Sequence, residues 1–139
     1  MSTTSRVALV CYGISAFVGM LFGVIYLIRP RFMPYHSEAV QSSWTDLDQN
    51  MRILILALMR VSGAGLLATG IAVLVLLAIP FRAGEAWSFY AIPLIGLCMS
   101  AGSLYATILV KTRTPGSPPV GLASLSLVLI LIGFIFSVL

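Results

Sequence analysis

Charge is what this chain has least of. Only 9% of its 139 residues are Asp, Glu, Lys or Arg, where an ordinary soluble domain carries about 25%. That leaves too little polar surface to cover a globule in water, so the class is an integral membrane protein. Acids are the scarcer sign, four in all. None falls inside the long apolar runs, so a proton or ion relay through the bilayer has almost nothing to run on. The single histidine excludes bis-His haem ligation within one chain. No H-x-x-H or E-x-x-H helix signature accompanies it, so no metal site is expected. No Ser, Thr or Cys has a base at motif spacing, and there is no phosphate loop. The chain is therefore not read as an enzyme. Its net charge of +4 comes without a dense basic run and is the excess common on membrane loops, so no nucleic-acid partner is expected.

Two cysteines, Cys11 and Cys98, fall at different depths of different apolar runs. They read as small packing residues rather than a disulfide.

Four apolar runs fill most of the rest, about Val7–Ile28, Ile53–Ile79, Ala86–Val110 and Val120–Leu139. Each reaches the roughly 20 residues that a spanning helix needs. The first is too long for a signal h-region and has no cleavage site after it, so it reads as a retained helix. The expected fold is all-α, a single four-helix transmembrane domain over residues 1–139, up-down-up-down. Its helices run at about 6–28, 44–79, 86–111 and 119–139, the second extended beyond the membrane.

Within the first helix Tyr12, Ser15, Gly19, Gly23 and Tyr26 recur at helical spacing and predict a face turned to protein. Gly63 and Gly70 on the second helix, Gly96 on the third and Gly133 on the fourth predict further close packing. Pro30 and Pro34 predict an irregular surface piece over Arg29–Ser37. Ser43-Trp44-Thr45-Asp46-Leu47-Asp48 places acids three residues after hydroxyls, a helix-start signal. The second helix then runs unbroken from Trp44, with Asp48 and Arg52 spaced to pair, until Pro80 closes it. Trp87 and Tyr90 are interfacial anchors, and Pro93 predicts a kink.

The polar stretch from Arg29 to Arg60 holds the only His, three of the four acids and four of the eight basic residues. Any specific chemistry has to lie there. Arg60 begins about 10 Å into an apolar run. It reads first as an interfacial arginine that snorkels, then as half of a buried ion pair with Glu38, Asp46 or Asp48, then as a ligand contact. The candidate ligand or partner contacts are Arg60, His36, Glu38, Asp46, Trp44 and Tyr35. Tyr26, Phe32, Tyr35 and Trp44 could wall a pocket for a flat lipophilic molecule, although an interfacial aromatic belt is the commoner reading.

Helix one ending in Y-L-I-R-P-R-F, the run R-I-L-I-L-A-L-M-R-V-S-G-A-G-L-L-A-T-G and P-F-R before the third helix resemble the DoxX-like group of small four-helix membrane proteins. The M-P-Y-H-S-E insertion does not match that group. The resemblance implies a subunit associated with membrane redox chemistry, without assigning catalytic residues. The leading expectation is a non-catalytic accessory or structural subunit of a larger membrane complex, contacting lipids and other integral membrane subunits or itself. A quinone- or lipid-binding protein is the alternative, and a small transporter the third. No cofactor is required, although a quinone or bound lipid is compatible. More basic residues flank the long first loop than the terminal side, so the loop is expected to be cytoplasmic, in a bacterial inner membrane.

Overall fold

The computed structural model describes residues 1–139. It is all-helical: α1 Thr3–Ile28, α2 Pro34–Val40, α3 Gln49–Leu76, α4 Ser88–Arg113 and α5 Val120–Val138. A π-helical turn, Leu77–Phe81, prolongs α3. Four segments are long and apolar enough to cross a membrane: α1, α3 with its π turn, α4 and α5. They alternate in direction. The α1–α3 connection and the α4–α5 connection lie at one end, here called the loop end, and the chain termini lie at the other. α1 is the central helix, packed on α3 and on α5, and α5 packs in turn on α4; α3 and α4 touch far less.

Lipid tails are as apolar as leucine, so close packing and interhelical hydrogen bonds must hold such helices together. The termini half is a side-chain core of Ala8, Tyr12, Ala16, Val73, Leu77, Phe81, Ile92 and Ile130. Tyr12 is fully buried, and its ring meets Phe81 edge-on at 6.2 Å. Its hydroxyl lies 3.4 Å from that of Ser137. Ser15 and Ser126 hydroxyls, 2.6 Å apart, join α1 to α5 one turn further in.

Nearer the loop end, backbones rather than side chains meet. A Cβ on Gly23 would stand 2.8 Å from the Leu67 nitrogen and 2.9 Å from the Gly63 carbonyl oxygen. A Cβ on Gly63 would stand 2.8 Å from the Gly23 oxygen. α1 and α3 therefore cross through these two glycines. Gly70 faces Ala16 and Met20, Gly96 faces Ile130, and Gly133 faces the Tyr12 ring. Gly19 is the exception to the expected face: nothing stands within 4 Å of where its Cβ would be. The G-x-x-x-G of α1 thus contributes one glycine, and the partner of Gly23 is on the other helix.

Three boundaries differ from the sequence reading. Arg29–Ser37 is not irregular throughout, because Pro34 opens α2 from the first helical position. Its missing N–H is no loss there and its φ suits a helix. α3 begins at Gln49, not Trp44. The Ser43 hydroxyl donates to the Asp46 carboxylate at 2.6 Å, closing a separate turn, and Asp48 is the cap, accepting from the Met51 N–H at 3.0 Å. Asp48 therefore does not pair with Arg52, whose Nη2 donates to the Thr45 carbonyl at 2.6 Å. Finally, Pro80 does not close the helix. It cannot donate in the α-helical ladder, and the turn widens around it, with Glu85 N–H reaching the Pro80 carbonyl at 3.0 Å.

Candidate functional site

The loop end is where the polar residues gather. α3 and its π turn run 33 residues, about 50 Å at helical rise, against a hydrocarbon thickness of about 30 Å. α1 ends much lower, at Ile28. The 29–48 segment fills the layer between the end of α1 and the start of α3.

Arg60 sets the floor of that layer. It is half-buried and its Nη1 donates to the carbonyl oxygens of Tyr26, at 2.9 Å, and Leu27. These carbonyls belong to the last turn of α1, where no amide further along the helix satisfies them. The guanidinium also sits at the negative end of the α1 dipole. Arg60 is thus a helix cap delivered from the neighbouring helix. The anticipated acidic partners are engaged elsewhere. Glu38 accepts from the Ser117 N–H at 2.9 Å, Asp46 accepts from Ser43, and Asp48 caps α3.

Above this floor lies an aromatic cluster. Phe32 is buried, with its ring edge-on to Trp44 at 5.0 Å. His36 meets Tyr35 at 4.4 Å, Tyr26 at 6.3 Å and Phe32 at 6.4 Å. The Tyr26 and Tyr35 hydroxyls hydrogen-bond. Of the expected contacts, then, Tyr35, His36 and Trp44 converge, whereas Glu38 and Asp46 hold backbone and turn. Two residues absent from the expected contacts are central here. Arg29, the C-cap of α1, carries a buried Nε with no hydrogen-bond partner. Gly116 lets the α4–α5 connection seat on α2, where a Cβ would stand 2.7 Å from the Tyr35 carbonyl oxygen. The adjacency of Arg29 to Phe32 was the one available signal for the former; the latter had none.

A cavity of about 220 Å³ opens beside the cluster, lined by Arg29, Arg31, Phe32, Pro34, Ser37, Ser43 and Trp44. The two cysteines are free, Cys11 buried and Cys98 exposed.

Two groups at the loop end have perturbed acidity. Burial and the Tyr26 hydrogen bond push the Tyr35 hydroxyl above its ordinary range, against a smaller opposing pull from Arg29, so it stays protonated. Burial lowers the pKa of His36. Its Nδ1 accepts from the Met33 N–H at 3.3 Å, which requires an unprotonated Nδ1. The groups around the ring are Tyr26, Phe32 and Tyr35, with no carboxylate among them to favour the imidazolium. On acidification the unfolded segment takes up a proton first, at about pH 6.5. The docking of α2 is therefore at full strength above about pH 6.5 and weakens as pH falls from there toward the lowered folded value. Relative to the intrinsic rate, which itself falls with pH, amide exchange over Tyr35–Val40 should show an excess on acidification, read as a lower protection factor. His36→Phe should remove that excess; an unchanged excess would assign it to another group.

No protein-family model, curated protein or solved structure matches this chain.

Proposed function

We propose that the protein is a non-catalytic integral membrane subunit that associates with another membrane protein through the outer face of α3. The observation that carries this is the apolar surface of α3 around and above the level where α1 ends. Ile53, Leu54, Leu58 and Val61 are 59%, 53%, 59% and 72% exposed. They stand beside a layer in which the protein itself places Arg29, Arg31, Glu38 and Asp46. Apolar side chains at that height gain from being covered, and a partner helix supplies a cover. The polar residues nearby support a structural role, because Arg60, Glu38, Asp46 and Asp48 hold helix ends and turns.

The same reading takes the loop end as cytoplasmic. Arg29, Arg31, Arg52, Arg60, Lys111 and Arg113 flank it, against Arg6 and Arg82 at the other end. A bacterial inner membrane and the resemblance to DoxX-like proteins, carried by the stretches quoted above, fit this proposal.

The test is purification from native membranes in a mild detergent. The wild-type protein should migrate with a larger assembly. Leu54→Ser with Leu58→Ser should shift it to the size of a lone folded subunit, with helicity unchanged. A wild-type protein that is already a stable monomer under those conditions would refute the assignment.

A further inference from the structure

The cavity beside Phe32 and Trp44 has a chemistry that the architecture does not use. Arg29, Arg31, Ser37 and Ser43 all line it. Both serine protons are committed: Ser37 donates to the Ser42 carbonyl at 2.8 Å and Ser43 to Asp46. The remaining side-chain donors on the lining are the guanidinium groups and the Trp44 indole N–H; the Arg29 Nε, itself shielded from the cavity, has no acceptor. An anionic oxygen is the strongest complement of a guanidinium, and here it would meet the outer nitrogens of Arg29 and Arg31. The Arg60 clasp fixes the height. Arg29 directly follows the last turn of α1, whose carbonyls Arg60 holds, at the edge of the apolar span. The edge of an apolar span is the depth expected for headgroup phosphates.

We propose that this cavity binds a phosphate group between Arg29 and Arg31, with a phospholipid phosphodiester as its source. The two guanidiniums hold the phosphate oxygens. Phe32 and Trp44 form the apolar wall against which the glycerol and the first acyl carbons lie. The Asp46 carboxylate, one hydrogen bond behind Ser43, opposes the anion and limits its affinity. Membrane anions attract basic residues generally; the built features here are two arginines on one cavity and the aromatic wall.

Trp44 reports on its own occupancy once the only other tryptophan is removed by Trp87→Phe. In dodecyl maltoside micelles, phosphatidylglycerol should change Trp44 emission saturably, while a galactolipid of the same acyl chains, lacking phosphate, should not. Arg29→Gln and Arg31→Gln should each weaken binding about tenfold, the loss expected for one charge-assisted contact. Asp46→Asn should tighten it several-fold, a gain that misfolding cannot produce. Saturation by inorganic phosphate alone would uphold the anion site and make its source soluble phosphate. Equal response to the galactolipid, no response to either phosphate source, or unchanged affinity in Arg31→Gln would overturn the proposal. Arg31 is exposed, so its substitution leaves the bundle folded.

Discussion

Gly63→Ala should destabilise the bundle by about 3 kcal/mol, the upper part of the range for overpacking a tight contact. One added carbon would lie 2.8 Å from the Gly23 carbonyl oxygen and 2.9 Å from the Tyr26 Cβ. Backbone atoms cannot rotate away as a long side chain does, so α1 and α3 must separate. Separation would also draw the Tyr26 and Leu27 carbonyls away from Arg60, and the two losses would add. Gly23→Ala should behave alike, since it meets the same crossing from the other side. Gly19→Ala and Gly102→Ala are the controls, because both positions open onto empty space. Unfolding in mixed micelles with increasing sodium dodecyl sulfate measures all four. If Gly63→Ala unfolds with the controls, the crossing is looser than described.

Arg60→Leu should cost about 2 kcal/mol. Its two acceptors lie in the last turn of α1, and removing the donor leaves carbonyls unsatisfied in a partly apolar layer. A merely snorkelling arginine predicts a different result, since leucine would then be neutral or stabilising at that position. Arg60→Lys should fall between, as the shorter lysine keeps the charge but does not place its donor where Nη1 stands. The same micelle titration decides: no loss in Arg60→Leu would return Arg60 to the headgroup zone.

Length and hydropathy made the four spans legible, because a twenty-residue apolar run has few alternatives. The close-packing glycines were legible at Gly23, Gly63, Gly70, Gly96 and Gly133. Gly19 was not, because spacing along one helix does not say which turn meets another helix. The start of α3 was misplaced by a competition between similar signals. Ser43, Thr45 and Asp48 can each cap, and Ser43 has its hydroxyl taken by Asp46. α2 was missed because seven residues carry little periodicity, and Pro34 signals a break and a helix start with the same letter. The role of Arg60 was the least legible. Its acceptors are backbone carbonyls, which every residue carries, so no residue type announces them. Acidic side chains, the usual partners of a buried arginine, are not what Arg60 meets.

The seat of the α4–α5 connection on α2 also sets an order of assembly. The Arg60 clasp joins residues 33 and 34 apart in sequence, so it can close once the first hairpin has entered the membrane. The bond from Ser117 to Glu38 spans 79 residues, and Gly116 beside it packs on the backbone of α2. During synthesis α2 therefore waits, with Phe32, Tyr35 and His36 not yet clamped from above, until the second hairpin has been made. In that interval α2, like the side of α1 that α5 later covers, is still free to meet lipid or another protein. The last turn of the chain to be connected is thus what seals a helix near its beginning.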